Sequence, residues 1–374
     1  MERFSSSKLF RMTYVGVPLI ICGQIINQDY HFRSLRNDYI PKFRHHIDDY
    51  VQYAPAAIML GMKVAGVQGR SNWGRMLTSD AFSAAIMATA VNSLKYSVKT
   101  ERPDGSNRHS FPSGHTATVF MTATMLAKEY GHLSPWVGIG AYSMATATGL
   151  MRMANNKHWL SDVMTGAGIG IIATELGYYL ADLIFKGRGI TNFDTMETLD
   201  RYAPPSFIGL YLGINLLPSG YNINNEYRYG TSSGSNAGIE GAWFGNAYFG
   251  LGGRLTISDT NVLLNYEQTE TAKLDAVKFL IGPYFSKPLS VRWALGTKLI
   301  GGVVHYPTLH IGDHRIPKND AMCFSTGVTM TFKARKHLGF RLFIDYDLQQ
   351  PHSKLTREWM HMLTFGGSCA AILK

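Results

Sequence analysis

The chain has 374 residues, enough for two domains with separate cores. Hydrophobic residues make up 45% and charged residues 17%, which excludes an intrinsically disordered chain. A formal net charge of +10 favours anionic partners; with no lysine/arginine run and no zinc-ligand cluster, nucleic acid is set aside, and anionic lipid or phosphorylated compounds remain. The cysteines Cys22, Cys323 and Cys369 are too few and too scattered for a disulfide framework, though one bridge stays open.

Residues 1–47 form an N-terminal segment with two readings. Arg3, Lys8 and Arg11 precede an apolar run from Met12 to Ile26, as in an export signal. No small-x-small cleavage site follows, and Cys22 is preceded by Ile21 instead of the small residue of a lipoprotein signal. The run also falls short of the roughly 20 apolar residues of a membrane span. A packed helix of the first domain is the second reading.

Residues 48–190 read as helices. Apolar-rich stretches at 51–67, 80–99, 114–130, 135–151 and 158–185 are separated by polar or Gly/Pro-containing links. Ala, Gly, Met and Thr dominate them, and Asn92, Glu175 and Asp182 lie inside them. That composition favours a compact helical bundle, with a membrane-embedded bundle as the alternative.

From residue 204 to 374 the period becomes two. Leu338, Phe340, Leu342, Ile344, Tyr346 and Leu348 face one way, and Gly339, Arg341, Phe343, Asp345 and Asp347 the other. Ile208, Leu210, Leu212, Ile214 and Leu216 oppose Gly209, Tyr211, Gly213 and Asn215 in the same manner. A dry core would reject Arg341 and two aspartates, whereas a polar lumen accepts them. The pattern predicts about eight antiparallel strands, near 206–217, 236–245, 247–257, 277–286, 290–303, 321–333, 337–348 and 359–372. Long polar links near 218–235, 258–276, 304–320 and 349–358 alternate with tight ones near 246, 287–289 and 334–336. This is the layout of a transmembrane β-barrel with membrane lipids around it; a soluble barrel would turn its apolar residues inward. An even strand count puts both barrel ends on the short-turn, periplasmic side. The chain lacks the aromatic last residue common in outer-membrane barrels.

Three short segments carry the chemistry. Lys95 and Arg102 are seven apart, about two helical turns, which predicts both cations on one helical face, with the helix ending at Arg102 before Pro103 and delivering its guanidinium to a loop. Pro112-Ser113-Gly114-His115 precedes an apolar run: Ser113 is a natural N-cap, Gly114 admits close approach, and a helix N-terminus offers N–H groups to an anion. Arg152, His158 and Asp162 form the third; the last two are four apart, which predicts a shared helical face and a carboxylate that fixes the imidazole tautomer. Each alone has a plainer reading: a solvated helix end, an ordinary capped helix, a local capping pair. Together they supply charge clamps, a nucleophile and an acid for a phosphoryl group in flight.

Lys95, Arg102, Pro103, Pro112, Ser113, Gly114, His115, Arg152, His158 and Asp162, in this order, resemble the signature of the type-2 phosphatidic acid phosphatase and vanadium haloperoxidase superfamily. The resemblance covers about residues 50–185 and implies a helical bundle. It implies His158 as nucleophile through a phosphohistidine, Asp162 orienting it, and His115 protonating the leaving oxygen and then activating water. Lys95, Arg102, Arg152, Ser113 and the Gly114 amide would hold the phosphoryl oxygens, with no metal or other cofactor. One position departs: the family's Ser before the third-motif arginine is Met151 here. The implied activity is hydrolysis of phosphomonoesters or lipid phosphates at the periplasmic face of the outer membrane, with the inner membrane as alternative location. A vanadate-dependent haloperoxidase and a non-catalytic phospho-ligand-binding barrel are the competing readings.

Overall fold

A computed structural model describes residues 12–25, 29–191, 200–222, 228–229, 232–264, 267–311, 314–335, 338–353 and 358–373. The chain divides into two compact units, Met1–Met196 and Glu197–Lys374.

The first unit is helical: α1 (Gly16–Ile25), α2 (Asp29–Tyr39), the single turn α3 (Asp48–Val51), α4 (Ala54–Val64), α5 (Trp73–Val98), α6 (Gly114–Tyr130), α7 (Pro135–Ala154) and α8 (Leu160–Phe185). Side-chain caps set where several begin, since the first N–H groups of a helix have no acceptor within it. Asn72 accepts from Arg75 N, Ser113 from Thr116 N and Ser134 from Trp136 N. The Asn72 cap starts α5 at Trp73, ahead of the start expected at residue 80. The stretch expected as one helix over 51–67 is instead the α3 turn followed by α4 with Pro55 in its first turn.

Met59, Met76, Met121, Met125, Leu126 and Tyr130 form the main core, and α8 packs on α5 and α6 through small residues. A Cβ on Gly177 would lie 2.2 Å from Ser83 Oγ, and one on Gly170 would lie 2.3 Å from the Ala117 carbonyl. The apolar run from Met12 contains α1, which also packs on α8, and Gln24 Nε2 donates to Thr165 Oγ1 at 3.2 Å. Arg3, Lys8, Arg11 and Ile26 lie outside the described residues. Among those described, α8 is the one helix long and apolar enough to cross a membrane, and more than half of its most apolar stretch is covered within the unit.

The second unit is a closed antiparallel barrel. Its strands are β1 (Phe207–Leu217), β2 (Ser232–Phe244), β3 (Phe249–Leu264), β4 (Ala276–Pro288), β5 (Trp293–Tyr306), β6 (Asn319–Arg335), β7 (Leu338–Gln349) and β8 (Met360–Ile372). Each pairs with its sequence neighbour, and β1 pairs with β8, with Phe207 opposite Ile372, to close the ring. Several strands outrun their apolar alternation: β2 starts at Ser232 and β3 reaches Leu264, because main-chain pairing continues into polar sequence. A tight link separates β2 from β3, where Asn246 Oδ1 accepts from Tyr248 N and Phe249 N at 2.8 and 2.9 Å. The β5–β6 link carries a small hairpin, Leu309–Ile311 with His314–Ile316.

The expected facing holds along the strands, except that Leu338 at the start of β7 is buried. Ile208, Leu342 and Ile344 are exposed, while Tyr211, Asn215, Arg341, Phe343, Asp345 and Asp347 are buried inside. Trp243, Tyr248, Phe249, Phe285 and Trp293 form an exposed aromatic group at the tight-turn end. The lumen is packed with ion pairs. Arg254 joins Asp345 and Asp347 at 2.7 Å each, and Lys278 reaches Asp347 at 2.8 Å. Lys298 bridges Glu240 and Asp345, and Arg341 reaches Glu240 at 3.1 Å. Tyr211 OH donates to Asp345 and Tyr284 OH to Glu240. Buried charges on this scale persist only when paired, and here each of these cations has a carboxylate.

Candidate active site

The three motifs converge at one end of α5, α6, α7 and α8. Lys95 is in the last turn of α5, and Lys99 ends that helix in a left-handed conformation, φ 53°. Arg102 therefore stands in the loop, as Pro103 suggested, but the helix ends three residues before it, so it does not share a helical face with Lys95, a correction to the spacing argument. The loop is pinned to the third motif: Lys157 Nζ meets Asp104 Oδ2 at 2.6 Å, and Trp159 Nε1 donates to the Glu101 carbonyl at 2.9 Å. Lys95 Nζ donates to the His109 carbonyl at 2.8 Å.

Ser113 caps α6. Its Oγ, fully buried, accepts from Thr116 Oγ1 at 2.9 Å, and its own N–H donates to the Asp162 carbonyl at 3.1 Å. The N–H groups of Gly114 and His115 are the ones the cap leaves over, at the positive end of the helix dipole. Close packing brings this cap to the third motif: a Cβ on Gly166 of α8 would lie 2.5 Å from the Ser113 carbonyl.

Arg152 is buried in the last turn of α7, which runs past the expected end at 151. Met151 beside it supplies no hydroxyl. His158 precedes α8 instead of opening it, a second correction: the four-residue spacing to Asp162 works through a capping turn, with Asp162 as the third residue of the helix. Asp162 Oδ2 accepts from Trp159 N at 2.9 Å and from Ser110 Oγ, and it stands 3.4 Å from His158 Nδ1. With Nδ1 held there, Nε2 of His158 is the free nitrogen.

The electrostatics are those of a site short of negative charge. Burial, then the nearby Arg102, lowers Lys95 to about 8. Burial and Arg152 lower Arg102. Burial also lowers His158, to about 4, although Asp162 opposes the shift. His158 is thus an uncharged imidazole at neutral pH. The Nε groups of Arg102 and Arg152 are buried without a hydrogen-bond partner. Orphaned guanidinium donors beside a free helix N-terminus suit a bound oxyanion.

Four residues outside the motifs complete the site. Ser110 supports Asp162, as above. Asp48 Oδ2 pairs with Arg152 Nη1 at 2.7 Å, and Asn155 Nδ2 donates to Asp48 Oδ1 at 3.2 Å. Asp49 Oδ1 is 2.8 Å from His115 Nε2 and 3.5 Å from Arg152 Nη1. In the sequence, Asp48 and Asp49 look like ordinary acids at a helix start, and no spacing rule ties them to a histidine and an arginine so distant in the chain.

Residues 77–185 match the PAP2 superfamily, so that stretch is a PAP2 domain. The lipid A 1-phosphatase of Porphyromonas gingivalis is 45% identical over 173 residues, covering 46% of this chain and 39% of that protein. The match thus spans about two-fifths of the relative's length. Among solved structures, Aquifex aeolicus LpxE aligns with 22% identity and a TM-score of 0.31 over 39% of this chain and 91% of its own. Neisserial surface protein A aligns with 4% identity and a TM-score of 0.33 over 46% of this chain and 98% of its own.

Proposed function

We propose that this protein is a metal-independent lipid phosphate phosphatase whose helical unit works through a phosphohistidine. His158 Nε2 attacks phosphorus, Asp162 holds the ring through Nδ1, and His115 protonates the leaving oxygen and then activates water. Lys95, Arg102, Arg152 and the Gly114 and His115 amides take the phosphoryl oxygens, with Ser113 fixing the amides in place. The observation that carries this reading is the uncharged, buried His158 set among cations with unpartnered buried N–H groups. The PAP2 domain and the similarity to a lipid A 1-phosphatase support a lipid phosphate as substrate, with lipid A and other phosphorylated membrane lipids as candidates.

The barrel serves as an outer-membrane anchor in this reading. Its apolar exterior and polar interior fit a bilayer, and its first and last strands both begin or end at the tight-turn side, which supports a periplasmic helical unit.

The test is inorganic phosphate release by the full-length protein in detergent without added metal. Lipid A, undecaprenyl pyrophosphate and an aryl phosphate are compared, with His158→Ala as the blank. Release lost in His158→Ala supports the reading; release unchanged in it removes the nucleophile. No release from any substrate, with halide oxidation on adding vanadate, would replace it by a haloperoxidase. The acid limb of kcat/KM belongs to His158, so activity falls as pH drops through about 4. Stability follows the same sign. The folded protein holds this proton less tightly than a free imidazole, whose value is 6.5, so the contribution is complete above 6.5 and lost as pH falls through about 4.

A further inference from the structure

Resting on that reading, we propose that Asp49 is the positioning residue for the acid–base histidine, holding His115 through Nε2 so that Nδ1 serves the leaving oxygen. The 2.8 Å contact assigns Nε2 to the carboxylate, which leaves Nδ1 as the nitrogen free to face substrate. The same division of labour holds at the nucleophile, with the nitrogens exchanged: Asp162 takes Nδ1 of His158 and leaves Nε2.

The α3 turn that carries Asp49 is clamped to the bundle. Asn155 Oδ1 accepts from His45 N at 2.9 Å, and Asn155 Nδ2 donates to the His45 carbonyl at 2.7 Å. The neighbouring Asp48 is buried against Arg152, and Thr122 Oγ1 of α6 donates to the Gln52 carbonyl at 3.3 Å. The Asp49 side chain itself stays 44% exposed.

An acid catalyst needs a proton at the start of turnover, and His115 is poorly placed to keep one by itself. Burial and Arg152 on α7 push the proton off; Asp49 and Asp48 on α3 hold it on. His46 faces Asp49 at 3.6 Å, and Lys95 on α5 approaches Gly114, the residue before His115. In the first step the P–N bond to His158 forms as the P–O bond breaks. The electron pair goes to the leaving oxygen, which takes the Nδ1 proton of His115. In the second, His115 removes a proton from the attacking water as the P–N bond breaks and its electron pair returns to His158. Asp49 remains a carboxylate throughout.

The experiment compares wild type, Asp49→Asn and Asp49→Glu as full-length protein in detergent, with an alkyl phosphate and a nitrophenyl phosphate. Asp49→Asn is expected to lower kcat on the alkyl ester by about 10- to 100-fold with little change in KM. Its alkaline limb in kcat/KM moves to lower pH by about one unit, and Asp49→Glu restores it. The loss is smaller on the nitrophenyl ester, whose leaving oxygen needs no proton. An unmoved alkaline limb, or equal losses on both esters, overturns the proposal. A higher kcat/KM in Asp49→Asn also overturns it, because the carboxylate would then be standing in the phosphate's place between His115 and Arg152. Activity surviving His158→Ala would instead sink the phosphatase reading beneath it.

Discussion

The helical unit and the barrel both bury clusters of charge, and they do so to opposite ends. In the barrel, Arg254, Lys278, Lys298 and Arg341 each meet a carboxylate inside a closed ring. In the helical unit, Lys95 and Arg102 have no carboxylate within ion-pair distance among the described residues. A completed network is a structural core made of charges; an incomplete one stores demand for an anion. Burial alone therefore does not mark a functional site. The unpaired remainder does.

The contrast can be broken from either side. The largest effect is expected at the proposed nucleophile: His158→Ala should lower kcat at least about 10³-fold with the fold intact, read by phosphate release and circular dichroism. Arg152→Lys keeps the charge and loses the planar fork, so activity should fall about 100-fold; wild-type kinetics would show the fork to be idle. On the barrel side, Arg254→Met takes from Asp345 and Asp347 their shared partner, leaving them Lys298 and Lys278, and should cost about 1–3 kcal/mol. The readout is the denaturant or heat needed to unfold the barrel on a gel, and an unshifted transition would mean the network is ornamental. The smallest effect sharpens the comparison. Phosphate at about 100 times its Kd should stabilise the helical unit by about 2.7 kcal/mol and leave the barrel transition where it was. Equal shifts in both would erase the distinction.

How much of this was legible in the sequence differs between the units for a physical reason. The barrel's two faces alternate residue by residue, so Arg341, Asp345 and Asp347 announced the lumen and Leu342 and Ile344 the exterior. The strand ends escaped, because backbone pairing carries β2 into Ser232–Ser235 regardless of polarity. In the helical unit the motif residues were readable as a set, but the helical-face arguments for Lys95 with Arg102 and for His158 with Asp162 misplaced two of them. Lys99 turns left-handed, and His158 sits outside α8. Asp48 and Asp49 were illegible as site residues: their partners lie on α6 and α7, and only tertiary packing joins them.

The pairing of β1 with β8 sets an order of events for the chain. The two strands that seal the ring are the ones farthest apart in the barrel's sequence, so the seam forms last, after the six strands between have found their neighbours. Until then the nascent ring has two bare edges ready to pair with another chain. Closure thus depends on β8, which covers the open edges of β7 and β1 together.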